Sequence, residues 1–228
     1  MMDAFILAAG RGERLRPLTD ITPKPLVKVA GKPLIVHHIL NLREAGFSRI
    51  IINVSWLAEK IIDALGDGSR FGVSLVYSRE PGSPLETAGG IINALPLIKS
   101  ERFVAVNADI WCDPPFDQVL VIPGEQAGLL LVENPAHHSR GDYGLEDNWL
   151  VWPDQSSNVL TFSGISWFSR NLFENRPKKI LPLRDVIAET IDRGTVGGRI
   201  FAGRWIDIGT LERLKEAERI TCGDVTPR

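Results

Sequence analysis

The run Leu7-Ala8-Ala9-Gly10-Arg11-Gly12-Glu13-Arg14-Leu15-Arg16-Pro17-Leu18-Thr19, continuing through Asp20-Ile21-Thr22 to Pro23-Lys24-Pro25-Leu26, governs how the rest of this chain is read. Phe5 to Ala8 is a short apolar strand, and the glycines follow it directly. Small residues after a strand let backbone N–H groups come close to a phosphate or a base. The spacing is neither GxGxxG nor GxxxxGK[ST], which sets aside the dinucleotide-binding and P-loop readings. Arg11, Arg14 and Arg16 add positive charge, and Lys24 sits between two prolines whose rings stiffen its backbone. Gly10-Arg11-Gly12 alone would be an ordinary turn with solvated arginines. Joined to an aimed lysine, it predicts a site for a polyanion.

Outward from this loop, short β-rich runs alternate with helical patterns, the sequence form of βαβ units around a parallel sheet. Leu34, Ile35, His38, Ile39 and Leu42 recur at helical spacing after Pro33 and stop at Gly46. Ile50 to Val54 reads as a buried strand, Ala58 to Leu65 as a helix, Val73 to Tyr77 as a strand and Thr87 to Leu95 as a helix. Phe103 to Val106 is the next strand, with Asn107-Ala108-Asp109 at its carboxyl end, where open α/β sheets place ligands. After Asp113 the prolines at 114, 115, 123, 135 and 153 separate further strands, Ala127 to Val132, Tyr143 to Leu145 and Val159 to Phe168. Leu183 to Arg193 and Leu211 to Ile220 read as late helices. With no linker or repeat visible, residues 1–228 are read as one domain whose texture changes between a first half, about 1–113, and a second, about 114–228.

Of the 228 residues, 44% are apolar and 24% charged, which argues for a packed domain over a disordered or fibrous chain. Lys plus Arg number 26 against 28 acidic residues, without the excess that a nucleic-acid partner would select. Apolar runs such as Ala127 to Val132 fall far short of the roughly 20 residues of a membrane span. The start lacks a basic leader, and Cys112 and Cys222 form neither a CxxC pair nor a disulfide framework. These features predict a cytoplasmic protein with no membrane or nucleic-acid partner.

The opening resembles the signature LAAGxGxRxxPLTxxxPKPL of the sugar nucleotidyltransferase family, matching every fixed position from Leu7 to Leu26. The resemblance implies an α/β, three-layer Rossmann-like fold with a mixed, mainly parallel central sheet, its nucleotide-binding half over about 1–113 and its sugar-binding half over about 114–228. It implies that a nucleoside triphosphate lies on Leu7, Ala8, Ala9, Gly10 and Gly12, with Arg14 on the triphosphate and Lys24 on a sugar-1-phosphate. Such a transfer needs charge neutralisation and in-line positioning, with no protein nucleophile.

Trp205-Ile206-Asp207-Ile208-Gly209-Thr210 resembles the family's W-x-D-x-G-T motif, and Asn107-Ala108-Asp109 its metal-binding aspartate. Asp109 and Asp207 are therefore the expected ligands of one Mg²⁺, a hard ion suited to two carboxylates and phosphate oxygens. Asp109 also counts among the nucleotide contacts. In related enzymes the segment Leu85-Glu86-Thr87-Ala88-Gly89-Gly90 meets the base, which nominates Glu86 and Gly90, with Asn53 at a strand end as a further candidate.

Asn134-Pro135-Ala136-His137-His138-Ser139-Arg140-Gly141-Asp142-Tyr143 resembles NPxHHxxGD[FY], found in a short subgroup that includes bacterial N-acetylmuramate-1-phosphate uridylyltransferases. The two histidines are expected on opposite faces of an extended chain. Gly144 and Gly164 are the sugar-side candidates, and Arg140 or Lys178 the candidate cations for an anionic lactyl group. The E-[EK]-K-P segment of larger relatives is absent, as are hexapeptide repeats, so a single activity is expected from a monomer or small homo-oligomer. The implied reaction joins UTP to N-acetylmuramate-1-phosphate with release of pyrophosphate. Mannose-1-phosphate guanylyl transfer, phosphocholine cytidylyl transfer and a non-catalytic nucleotide-sugar sensor are the alternatives, and retention of both aspartates argues against the last.

Overall fold

Strand β1 (Asp3–Leu7) sends alternate side chains into two separate cores, Ala4 and Ile6 into one and Phe5 into the other. In the computed structural model, which describes residues 2–80, 82 and 84–222, the chain continues through α1 (Leu18–Ile21), β2 (Lys28–Val29), β3 (Lys32–Pro33), α2 (Leu34–Glu44), β4 (Arg49–Val54), α3 (Ala58–Leu65) and β5 (Ser74–Arg79). Next come α4 (Glu86–Ala94), β6 (Arg102–Asn107), β7 (Ile110–Cys112), α5 (Phe116–Leu120), β8 (Ala127–Val132), β9 (Tyr143–Glu146) and β10 (Trp149–Val151). The last elements are β11 (Val159–Ser169), α6 (Leu183–Asp192), β12 (Val196–Ile200), β13 (Trp205–Asp207) and α7 (Leu211–Cys222).

A nine-stranded sheet runs β5-β4-β1-β6-β11-β8-β12-β10-β9. Its first four strands are mutually parallel, β11 is antiparallel to both β6 and β8, and β12 is parallel to β8. Only β10 and β11 oppose the rest, so the sheet is mixed with most strands pointing one way. Ile35 and Ile39 of α2, Ile61 of α3 and Phe116 of α5 pack on one face, and Ile91 of α4 with Val186 and Ile187 of α6 on the other. Three layers result. A smaller core joins Leu15, Val29, Trp111, Ile206 and Ala217 beneath the two-stranded β7–β13 ribbon.

Connectivity positions the site. The chain passes from β1 through α2 to β4 and through α3 to β5 on one side, and α4 then returns it across the opposite face to β6. Strand order therefore reverses between β1 and β6, whose carboxyl ends are Leu7 and Asn107. A crevice opens at such a reversal because the flanking helices leave in opposite directions. Pro33 stands one residue before α2, not in its first turn as the pattern suggests, because it is extended and pairs with Lys28.

His38 of α2 is buried beneath this crevice, with Nε2–H donating to the Ile110 carbonyl at 2.9 Å and Nδ1 facing no partner. Burial pushes its pKa down to about 4, against the opposing pull of that carbonyl. Below the unfolded value of 6.5 the unfolded chain takes up a proton that the native state refuses, so stability falls as pH drops toward 4. Between pH 7 and pH 5 the wild type should lose about 2 kcal/mol more than His38→Gln, measured by urea unfolding. Equal losses in the two proteins would overturn this assignment.

Candidate active site

Two clefts meet at the β1/β6 reversal. The first, of about 760 Å³, is lined by Leu7, Ala8, Ala9, Gly10, Gly12, Arg14, Lys24, Asn53, Glu86 and Asp109, so the structure gathers these expected residues. The second, of about 340 Å³, is lined by Gly164 and Asp207, with Arg14, Asn107 and Asp109 shared between the two. Gly90 and Gly144 line neither.

The opening loop is built around Lys24. Gly12 takes a left-handed backbone at φ +70, where its carbonyl accepts from Thr19 Oγ1 at 2.8 Å. A Cβ on Gly12 would lie 3.0 Å from Lys24 Cβ and 3.1 Å from Lys24 Cδ, so the glycine also leaves room for the lysine stem. Lys24 is 7% exposed and donates to Asp109 Oδ2 at 2.6 Å. Arg11 is not a free cation: its guanidinium stacks on Trp56 at 4.4 Å, and the Trp56 Nε1–H donates to the Thr19 carbonyl at 2.9 Å. Arg11 nonetheless lines the first cleft.

The base-side wall differs from the sequence expectation. Asn53 is 2% exposed; its Oδ1 accepts from the Ala8 N–H at 2.6 Å and its Nδ2 donates to Glu80 Oε1 at 2.6 Å. Glu80 Oε2 then accepts from the Leu85 N–H at 2.8 Å. This buried chain ties the opening loop to the start of α4, and burial raises the Glu80 carboxyl above its usual range. Asn53 is thus committed to protein partners in this structure. Gly90 lines neither cleft: a Cβ there would lie 2.6 Å from Glu80 Oε1 and 2.7 Å from Asn53 Nδ2, so the glycine makes room for that pair. Glu80 escaped the sequence reading because an acidic residue at a strand end looks like solvated charge. Glu86 does face the cleft, and it holds φ +62, a left-handed conformation that costs a non-glycine residue energy.

The second cleft owes its floor to a bulge in β11. Register shifts between Phe162 and Ile165, and Gly164 at φ +82 comes so close to Asn107 that a Cβ would lie 2.8 Å from Asn107 Nδ2. Asn134 staples the neighbouring loop, with Nδ2 donating to the Val159 carbonyl at 2.8 Å and Oδ1 accepting from Thr161 Oγ1 at 2.8 Å. Asp142 accepts from the Phe162 N–H at 2.8 Å and pairs with His138 at 3.0 Å. Ala136–His138 forms one tight helical turn, not extended chain, and both histidines therefore line this cleft. The opposite-face expectation fails because the chain turns here, the His138 N–H donating to the Pro135 carbonyl at 2.8 Å. Gly144 lies inside β9 and lines neither cleft, and a Cβ there would meet Ser156 Cβ at 2.6 Å and Val151 Cγ2 at 2.8 Å. Arg140 and Lys178 line neither cleft; His137, His138 and Arg14 are the basic groups that do line the second.

Asp109 ends the β6 turn and Asp207 ends β13, which pairs with β7 so that Asp207 sits opposite Ile110. The Asp109 carbonyl accepts from the Ile208 N–H at 2.8 Å, locking the two aspartate-bearing segments side by side. No group of three or more His, Cys, Asp or Glu residues suited to a metal occurs among the described residues. Two neighbouring carboxylates open to a cleft fit a hard divalent ion that completes its shell with phosphate oxygens and water. Each carboxylate also has a basic partner, Lys24 on Asp109 and Arg213 with His137 on Asp207.

The family model described as nucleotidyl transferase matches residues 3–148. Over 226 residues the chain is 46% identical to the N-acetylmuramate alpha-1-phosphate uridylyltransferase of Neisseria meningitidis serogroup B, covering 96% of this chain and 98% of that protein. It is 32% identical over 218 residues to the mannose-1-phosphate guanylyltransferase catalytic subunit beta of Drosophila melanogaster, covering 90% of this chain and 59% of that one. The crystal structure of a Bacillus anthracis protein ascribed glucose-1-phosphate thymidylyltransferase activity superposes with a TM-score of 0.84 at 24% identity, over 96% of this chain and 95% of its own, which establishes the shared fold.

Proposed function

The chain belongs to the nucleotidyl transferase family, and from that premise we propose that it joins UTP to N-acetylmuramate-1-phosphate, releasing pyrophosphate, in the cytoplasm during peptidoglycan recycling. The observation that carries the reading is the meeting of two clefts at Arg14, Asn107 and Asp109. We assign the first to the nucleotide and the second, beside Gly164 and the two histidines, to the sugar phosphate. A phosphate oxygen of the sugar-1-phosphate attacks the α-phosphorus of UTP, the new P–O bond forms, and the bond to the bridging β-oxygen breaks as pyrophosphate leaves. Backbone N–H groups of the glycine loop and the Arg14 guanidinium hold the triphosphate, while Lys24, aimed by its prolines, steadies the incoming phosphate. Asp109 and Asp207 would hold Mg²⁺, which supplies charge neutralisation to phosphate oxygens when bound. No helix among the described residues is long and apolar enough to cross a membrane.

Base and sugar identity rest on the 46% relative, whose length this chain spans almost completely. The test is pyrophosphate release from purified protein with Mg²⁺, across UTP, CTP, GTP and dTTP against N-acetylmuramate-1-phosphate, N-acetylglucosamine-1-phosphate, mannose-1-phosphate and phosphocholine. Turnover is expected to be highest with UTP and N-acetylmuramate-1-phosphate. A preference for GTP with mannose-1-phosphate, or silence in every combination, would sink the proposal.

A further inference from the structure

Both carboxylates proposed for the divalent ion are already neutralised from within the chain. Asp109 has Lys24, and Asp207 has Arg213, whose Nη1 lies 2.7 Å from each of its two oxygens. Arg213 stands in the first turn of α7, and its side chain is 12% exposed against 22% for Asp207. His137 closes the same cluster, with Nε2 3.0 Å from Asp207 Oδ1 and in contact with Arg213. Gly209 permits the approach: a Cβ there would lie 1.9 Å from Arg213 Nη2 and 3.1 Å from Arg14 Cζ. Two guanidinium groups thus converge on the wall between the clefts, where Arg14 and Gly209 line the first.

We infer that Arg213 is a positioning residue that guards Asp207, admitting a divalent cation as its nucleotide complex while disfavouring the bare ion. The inference rests on the proposed metal role of Asp109 and Asp207. A cation bonded to both oxygens occupies the lone pairs a metal needs and repels a second positive charge a few ångströms away. The phosphates of a nucleotide reverse that balance, because their negative charge attracts Arg14, Arg213 and the metal together. The same contact fixes the orientation of the carboxylate, as outer partners of metal ligands commonly do.

The test is direct Mn²⁺ binding, followed by electron paramagnetic resonance, for wild type, Arg213→Gln and Arg213→Lys, each with and without UTP. Ion carried by UTP alone is subtracted. Wild type should bind Mn²⁺ weakly alone and strongly with UTP. Arg213→Gln should bind the bare ion about tenfold more tightly and gain less from UTP, while Arg213→Lys, which keeps the charge, should stay near wild type. Unchanged or weaker binding of the bare ion by Arg213→Gln, with or without a lower Tm, would reduce Arg213 to a structural strut and overturn the inference. Failure of wild type to retain Mn²⁺ even with UTP would instead overturn the metal reading beneath it.

Discussion

Asp109→Asn should lower kcat by about a thousandfold or more in pyrophosphate release at saturating UTP, N-acetylmuramate-1-phosphate and Mg²⁺. The amide keeps the size and one acceptor oxygen of the carboxylate but loses its charge. It remains able to accept the Lys24 N–H bond, now 2.6 Å long, so the loop should survive. Lys24, at 7% exposure, would nonetheless be left with no full negative charge beside it. Removing one member of such a pair strands the other, and a loss of about 1–3 kcal/mol in urea unfolding is expected. A variant that stays folded yet nearly inactive fits the assignment. One that turns over at near-normal rates would remove Asp109 from the chemistry.

Lys24→Met should lower kcat/KM for the sugar-1-phosphate about a hundredfold to a thousandfold, a range typical of losing one well-placed charge at a transferring phosphate. Methionine matches the lysine stem, which lies against Gly12, so packing changes little. The informative contrast is with UTP. If Lys24 serves the incoming phosphate, UTP affinity measured by calorimetry should change only severalfold in Lys24→Met. A large loss of UTP affinity would move the residue to the triphosphate. Lys24→Arg should not restore the rate, because a planar guanidinium differs in shape from the buried ammonium that meets Asp109. Since the two side chains touch, the double variant Lys24→Met with Asp109→Asn should be less impaired than the product of the single effects. Strict additivity would mean that the 2.6 Å contact has no energetic consequence.

Much of this protein was legible before any coordinates. The alternation of strands and amphipathic helices reports local periodicity, and β1, β4 and β6 lie where their apolar runs place them. The loop from Leu7 to Leu26 needs glycine, proline and lysine at fixed intervals, and those requirements are local. Asp109 and Asp207 stood out because Asn107-Ala108-Asp109 and Trp205-Ile206-Asp207-Ile208-Gly209-Thr210 resemble two motifs of the family.

Tertiary structure alone decided the rest. Gly90 looked like a residue that lets a base approach, yet the space it leaves is filled by Asn53 of β4 and Glu80 just past β5. Gly144 serves the packing of β9 against the turn after β10, and the His137–His138 pair shares a cleft because the chain turns there, the His138 N–H meeting the Pro135 carbonyl. Arg213 carries no motif, and it meets His137 across a separation of 76 positions. A linear pattern records what a residue needs from its own backbone; its neighbours across the sheet are set by strand order and register, which bring together segments that share no period.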